Sequence, residues 1–179
     1  MALTLLIYIP GLYGDFEFDD GVNILDNSAI KVETLSLDRV LTAALSGKSG
    51  PLGRSISMLS FASNYYFTEF EPFFFKLTNV FIHIFAGFSV YMFINQLTLA
   101  LDKSADNPGK RRHASVVALT TAGIWLVHPL NVTSVLYVVQ RMTSLAALFT
   151  FLALALYIYG RRQTVDGKYS RGILLILLA

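Results

Sequence analysis

Long uncharged stretches alternate with short charged windows along the chain. Residues 77–101 contain no Lys, Arg, Asp or Glu, and between 113 and 159 the sole formally charged side chain is Arg141. An α-helix rises about 1.5 Å per residue, so about 20 apolar residues cross a hydrocarbon core about 30 Å thick. The first stretch therefore predicts one membrane-spanning helix and the second predicts two. Pro129 marks the point of division, because proline removes a backbone donor and disfavours helix at the preceding residue.

This pattern predicts an all-α fold, a polytopic transmembrane helix bundle with a large outer loop that contains amphipathic interfacial helices. The 179 residues are expected to be the N-terminal part of one membrane domain, a fragment of a longer chain. In order, we expect the end of a first helix, an outer loop, a span, an inner loop, two further spans and the start of another span. These segments cover residues 1–13, 14–72, 73–101, 102–113, 114–128, 132–159 and 172–179.

The outer loop contains the pattern of an amphipathic helix. Apolar residues recur every three or four positions, at Leu37, Val40, Leu41, Ala44 and Leu45. Ser36 is placed to cap the start of this helix and Gly47 to stop it, and the apolar face predicts that it lies along the membrane surface. A second helix is expected to follow Pro51 and to carry Arg54 towards an aromatic belt at residues 65–67.

The charged windows differ in sign. Residues 14–72 hold nine acids against four bases, whereas residues 102–112 and 160–172 carry net charges of +2 and +3. Because cytoplasmic loops are enriched in Lys and Arg, the acidic window is predicted to face outwards and the other two to face the cytoplasm. The protein is thus expected in a membrane, with its large loop on the outer side. Membrane lipid is the expected partner, and a nucleic acid has little support.

The residue types present exclude several kinds of chemistry. The chain contains no cysteine, so it has no disulfide, thiolate nucleophile or cysteine metal site. No two of its three histidines have the spacing that places metal ligands on one helix face. The sequence therefore predicts no metal site and no bound cofactor.

Asp19 and Asp20 are the candidate catalytic acids. They lie in residues 15–21, here called the acidic segment, where acidic residues alternate with aromatic ones just after the first helix. A carboxylate with little water around it is a stronger base and can take a proton from an acceptor hydroxyl. The competing interpretation is a solvated acidic turn with Asp20 and Gly21 at its corner.

Two arginines are candidates for substrate binding. Arg141 is expected about ten residues inside a helix that enters at Asn131, roughly 15 Å deep, where ionisable residues often mark a substrate path. A buried guanidinium prefers a bidentate anion such as a carboxylate or a phosphate. The alternative for Arg141 is a structural ion pair with a neighbouring helix. Arg54 is expected to hold a lipid phosphate or, alternatively, to extend to the headgroups as an ordinary interfacial arginine.

Several short motifs follow one another over nearly the whole chain. They are FDD at 18–20, RS at 54–55, SF at 60–61, KLTNVFIH at 76–83, HP at 128–129 and VVQR at 138–141. Their order resembles the amino-terminal membrane half of the GT-C glycosyltransferases that carry tetratricopeptide repeats. That group includes the transmembrane-and-tetratricopeptide O-mannosyltransferases and their bacterial relatives.

The resemblance implies a GT-C-like fold and a glycosyltransferase. It also implies a bacterial inner membrane or the endoplasmic reticulum membrane, with the large loop in the periplasm or lumen. Such an enzyme would move a sugar from a polyprenyl-phosphate-linked donor to a protein or glycan hydroxyl on the outer side of the membrane. Asp19 and Asp20 would supply the general base, and Arg54 and Arg141 would bind the departing phosphate. The residues that would also line the substrate pocket are Asn79, His83 and His128. Without further spans and repeats, the fragment alone is expected to be inactive.

Two other functions fit the same pattern. One is a non-enzymatic membrane module, part of a transporter or an assembly scaffold, in which Arg141 pairs structurally and the acidic segment docks a partner. The other is a polymerase or ligase of surface polysaccharide. Such polymerases place their main catalytic loop elsewhere, so the early position of Asp19 and Asp20 favours the transferase.

Overall fold

A computed structural model describes residues 2–47, 53–101 and 107–179. These residues are helical and include no strand, so the prediction of an all-α fold is confirmed. The helices are α1 (Ala2–Tyr8), α2 (Leu37–Leu45), α3 (Ser55–Thr68), α4 (Pro72–Leu101), α5 (Pro108–Val127), α6 (Asn131–Leu136), α7 (Arg141–Val165) and α8 (Tyr169–Leu177). Single 3-10 turns lie at Ile9–Tyr13, Ser28–Ile30 and Val138–Gln140, and a π turn lies at Gly21–Leu25.

Two helical segments are long and apolar enough to cross a membrane. They are α4, with 30 residues, and Val138–Val165, with 28 residues. A core helix of a soluble protein is mostly buried, whereas only 17% of the most apolar window of Val138–Val165 is buried. Phe81, Phe85 and Phe88 of α4 are about half exposed. This exposure of apolar surface indicates a membrane protein.

Helices α5 and α7 extend into the basic windows. The first turns of α5 contain Lys110, Arg111 and Arg112, which were expected in an inner loop. The last turns of α7 likewise contain Arg161 and Arg162, beyond the expected end at residue 159. Lys and Arg are good helix formers, so a helix can continue through a basic window. The basic residues therefore do not mark where the helix ends.

The stretch after Pro129 is broken where no break was expected. Helix α5 ends at Val127 and α6 begins at Asn131, on either side of Pro129 as predicted. However, α6 has six residues, Tyr137 is extended, and α7 begins at Arg141. Arg141 is therefore the first residue of a helix and does not lie ten residues inside one. No proline or glycine marks this break, which is held by contacts with distant residues.

The chain forms two compact units. Unit 1 comprises Met1–Ile82 and Pro129–Leu145, and unit 2 comprises His83–His128 and Ala146–Ala179. The core of unit 1 joins residues of the outer loop to α3, α4 and the 138–140 turn. Its members include Ile24, Ile30, Val32, Ala43, Met58, Phe61, Ala62, Phe75, Val138, Val139 and Met142. Much of the window that was expected to be a wet loop is thus a packed layer.

Unit 2 packs through small residues. Ala114, Ala118 and Ala122 are one turn apart on α5, and all three are buried. A Cβ atom on Gly172 of α8 would lie 2.8 Å from the carbonyl oxygen of Gly160 in α7, closer than real side chains come. Small residues let helix backbones approach closely and are typical of packed membrane helices.

Helix α2 forms over the predicted residues. The hydroxyl of Ser36 caps its start by accepting the Arg39 N–H at 3.4 Å, and the helix ends at Leu45. Its buried residues are Ala43 and Ala44, whereas the leucines of the predicted apolar face point outwards. The exposed leucines are Leu37, Leu41 and Leu45. Helix α3 begins at Ser55, and the expected start after Pro51 falls outside the described residues.

Candidate functional site

Asp20 anchors the acidic segment within unit 1. Its side chain is completely buried, Oδ1 accepts the Val139 N–H at 2.7 Å, and Oδ2 accepts the Glu17 N–H at 3.1 Å. Burial raises the pKa of Asp20, while these N–H groups and the charge of Lys76 act in the opposite direction. Asp20 is therefore not the corner of a solvated turn, and its oxygens hold the segment to the turn before α7.

Asp19 is the member of the predicted pair that reaches solvent. Its side chain is exposed, and its backbone N–H donates to the Tyr137 hydroxyl at 2.8 Å. Its backbone carbonyl accepts from the Asn23 side chain at 2.9 Å. Burial raises the pKa of Tyr137, and the neighbouring Asp19 and Asp20 carboxylates add to this, so the phenol stays protonated at neutral pH. The carboxylate of Asp19 is thus placed by backbone contacts and is open to a substrate.

Arg141 is fully buried and bonded to neutral groups. Its Nε donates to Asn79 Oδ1 at 2.6 Å, Nη1 to Ser60 Oγ at 3.2 Å and Nη2 to the Phe75 carbonyl at 2.9 Å. The guanidinium carbon also lies 4.6 Å from the centre of the Phe61 ring. These contacts tie the start of α7 to α3 and α4. The hydrogen-bond acceptors of the guanidinium are neutral, and the Asp20 carboxylate acts on it electrostatically. Phosphate binding by Arg141 stays a prediction.

Asn79 joins this network to the break before α7. It is fully buried, and its Nδ2 donates to the carbonyls of Val135 at 3.0 Å and Val138 at 3.2 Å. These carbonyls lie where the helix is interrupted and would otherwise lack partners. Asn79 was expected to line a substrate pocket, but the structure places it in the core of unit 1.

Arg54 lies immediately before α3. Its backbone has a left-handed conformation with φ of 49°, and the side chain is exposed with Nη1 3.0 Å from the sulfur of Met142. A thioether is a weak acceptor. Phosphate binding by Arg54 stays a prediction.

The two predicted histidines belong to unit 2. His83 is buried, its Nε2 lies 3.0 Å from the Leu126 carbonyl oxygen, and its ring centre lies 4.6 Å from that of Trp125. His128 is exposed at the end of α5, where its backbone N–H donates to the Trp125 carbonyl. His83 therefore serves the packing of unit 2. The predicted residues that the structure brings together are Asp20, Asn79 and Arg141, around the 138–140 turn of unit 1.

A cleft of about 580 Å³ lies beside the acidic segment in unit 1. Its lining residues are Pro10, Gly11, Gly14, Glu17, Phe18, Lys76, Val132, Thr133, Leu136 and Tyr137. The Phe18 ring packs edge-on against Tyr137 at 6.2 Å between ring centres. Clefts of this size hold small-molecule ligands. Two lining residues of the cleft adjoin Asp19. Phe18 precedes Asp19 in the chain, and the Tyr137 hydroxyl accepts the Asp19 N–H.

Two charged residues of the cleft were missed as site residues from the sequence. Glu17 precedes Asp19 by two positions in the acidic segment, and its exposed side chain lines the cleft. Lys76 lies in the second turn of α4 and is 4% exposed. Lys76 could have been noticed from the sequence, because it is a charged residue near the start of an apolar helix and the first residue of the motif at 76–83.

Comparison with known proteins finds relatives that share one name. The chain is 31% identical over 180 residues to protein O-mannosyl-transferase TMTC4 of Homo sapiens and 28% identical to that of Mus musculus, in each case over 94% of its own length. The chain is similar to protein O-mannosyl-transferases. A further relative with this name, from Caenorhabditis elegans, is 23% identical over 100% of the chain. The chain spans 24% of the length of each of these relatives. No family model and no solved structure matches it.

Proposed function

We propose that the protein is a membrane-embedded glycosyltransferase that moves a sugar from a polyprenyl-phosphate-linked donor to a hydroxyl group of a protein or glycan. The observation that carries the proposal is an exposed acid, Asp19, whose chain neighbour Phe18 and hydrogen-bond partner Tyr137 line a cleft that contains the buried Lys76. The names of the similar proteins favour mannose as the sugar and a protein as the acceptor. The acidic segment then faces the periplasm of an inner membrane or the lumen of the endoplasmic reticulum.

The reaction is a single displacement at the anomeric carbon. The acceptor oxygen attacks this carbon while its proton passes to the Asp19 carboxylate, and the bond from the anomeric carbon to the phosphate oxygen breaks. The products are the glycosylated acceptor and the lipid phosphate. Asp20 contributes by holding Asp19 in place through its bonds to the Val139 and Glu17 N–H groups. General base catalysis of this kind accelerates a reaction by about 10²- to 10⁴-fold.

The exposed leucines of α2 support a membrane-surface location for unit 1. Leu37, Leu41 and Leu45 are one turn apart along the helix and are each at least half exposed. A row of leucines on one side of a surface helix is favoured at the boundary between headgroups and acyl chains. Such a position supports the proposal, because a lipid-linked donor is presented at the same boundary.

A transfer assay with the intact protein tests the proposed function. The purified protein is incubated in detergent micelles with radiolabelled polyprenyl-phosphate mannose and a Ser/Thr-rich acceptor peptide. We expect label in the peptide, and none when the donor is a nucleotide-linked mannose. Absence of transfer from every lipid-linked sugar would favour the non-enzymatic membrane module.

Membrane orientation gives a second test. Thr34, in the outer window, and Asp166, after α7, are both exposed. We expect Thr34→Cys to react with a membrane-impermeant maleimide in spheroplasts, because the window of 14–72 is acidic, and Asp166→Cys to react only after lysis. The opposite labelling pattern would overturn the proposed orientation.

A further inference from the structure

Lys76 is a buried cation that the reaction scheme above leaves without a role. It is 4% exposed and lines the cleft together with Glu17 and Tyr137. Between described residues, no hydrogen bond or salt bridge engages its ammonium group. A charge removed from water costs several kcal/mol unless it is compensated. The nearby Asp20 carboxylate acts on Lys76 electrostatically, but its two oxygens already accept the Val139 and Glu17 N–H groups. The ammonium group of Lys76 is therefore suited to an anion that enters the cleft.

The two arginines assigned to phosphate from the sequence are less suited to this task. The guanidinium of Arg141 is completely buried, and each of its nitrogens already donates to a neutral acceptor. Arg54 is exposed, with Nη1 against Met142, and it is not a lining residue of the cleft. Lys76 is the basic residue that lines the cleft.

Gly14 leaves the space that the ammonium group occupies. A Cβ atom on Gly14 would lie 2.9 Å from Lys76 Nζ. The backbone of Gly14, with φ of −77° and ψ of 156°, is extended and open to any residue. The backbone would therefore accept a side chain at position 14, and the end of the flexible Lys76 side chain would shift to make room for it. This places the Lys76 ammonium group against the chain that leads into the acidic segment.

We propose that Lys76 binds the phosphate group of the lipid-linked donor and holds the lipid phosphate product. This assignment rests on the proposed function. A phosphodiester carries one negative charge and the released monoester carries nearly two, so a fixed cation favours bond cleavage. The cleft then carries opposite charges, with the buried Lys76 for the phosphate and the exposed Glu17 away from it. An anion entering the cleft is drawn to the lysine and repelled by the carboxylate.

Binding of polyprenyl monophosphate to the intact protein tests this assignment. Lys76→Met should weaken binding by about 10- to 100-fold, as expected for loss of a charged hydrogen bond. Lys76→Arg should retain binding to within about threefold of the natural protein, because the charge is kept. The matched control is Lys31→Met, since Lys31 is exposed and its ammonium group lies over the Phe70 ring at 5.4 Å. Equal binding by Lys76→Met and the natural protein would overturn the assignment.

Competitors identify the ligand that Lys76 recognises. Polyprenol without phosphate should bind the natural protein and Lys76→Met equally, and inorganic phosphate should compete only weakly. Equal competition by vesicles of phosphatidylglycerol would overturn the assignment to the donor, since it would indicate a general headgroup site. Should Lys76→Met fail to fold, Lys76→Gln provides a second test, because glutamine keeps a polar end and removes the charge. It should weaken polyprenyl phosphate binding as Lys76→Met does, whereas unchanged binding would contradict the proposal.

Failure of this proposal is distinguishable from failure of the proposed function. If the natural protein transfers sugar and Lys76→Met does so equally well, Lys76 is not the phosphate ligand although the enzyme assignment stands. If the natural protein transfers no sugar but loses polyprenyl phosphate binding on Lys76→Met, the binding site stands and the enzyme assignment fails.

Discussion

Asp19→Asn should lower the rate of sugar transfer by about 10²- to 10⁴-fold while the unfolding temperature stays unchanged. The substitution removes the exposed carboxylate that accepts the proton of the acceptor hydroxyl. The bonds of Tyr137 and Asn23 to the backbone N–H and carbonyl of Asp19 persist, and the asparagine oxygen replaces a carboxylate oxygen in the side-chain contact with Tyr137. The initial rate of mannose transfer per folded molecule measures the effect, alongside thermal unfolding in detergent micelles.

Asp20→Asn and Glu17→Gln are the matched controls. An asparagine at position 20 keeps one acceptor oxygen and turns its amide towards an N–H group, so the bond to Val139 or to Glu17 is lost. We expect transfer and stability to fall together, with a loss of about 1–3 kcal/mol in the free energy of unfolding. Glu17→Gln should leave stability nearly unchanged, because Asp20 accepts the backbone N–H of Glu17, and it should lower transfer far less than Asp19→Asn does. Full activity of Asp19→Asn with an inactive Glu17→Gln would assign the base to Glu17.

Arg141→Met should lower the free energy of unfolding by about 2–4 kcal/mol. Methionine nearly fills the volume of the buried side chain but donates no hydrogen bond. Three charged hydrogen bonds are lost, and Asn79 Oδ1 is left buried without its donor. Thermal or denaturant unfolding in micelles, followed by protease resistance, measures the loss.

Two further variants separate the Arg141 network from a general effect of losing charge. Arg39→Met, at an exposed position in α2, should change the free energy of unfolding by less than about 0.5 kcal/mol. Adding Asn79→Leu to Arg141→Met should cost less than the sum of the two single changes, because the residues share one network. Natural stability in Arg141→Met, or strict additivity, would show that these hydrogen bonds contribute little.

The position of a helix could be predicted from the sequence where residues within or next to the helix determine it. The uncharged run of 77–101 is local in sequence and coincides with most of α4, and Pro129 separates α5 from α6 because its ring excludes the helical hydrogen bond. The cap at Ser36 is equally local. In each case the signal and the structure that it predicts lie within a few turns of each other.

The roles of the polar residues depend on contacts that no local pattern records. Asp20 meets Val139 across 119 positions, and Arg141 meets Asn79 across 62. These pairs bury Asp20 and interrupt the helix before α7, although the nearby residues have no strong helix breaker. The residue types indicated a polar cluster. Only the folded chain shows that Asp19 is exposed while Asp20, Asn79 and Arg141 are buried. Lys76 was passed over for the same reason, since its burial and its position beside Gly14 arise only in the folded chain.

The side-chain amide of Asn79 links the break between α6 and α7 to the burial of Arg141. The hydrogens of Asn79 serve the carbonyls that the interruption leaves open, while its oxygen receives Arg141. In hydrocarbon such open carbonyls need partners from within the protein. If this stretch became a continuous helix, Asn79 would lose its bonds to the two carbonyls, and Arg141 would lose its bond to Asn79. The acidic segment, which the bond from the Val139 N–H to Asp20 holds to this stretch, would be released with them.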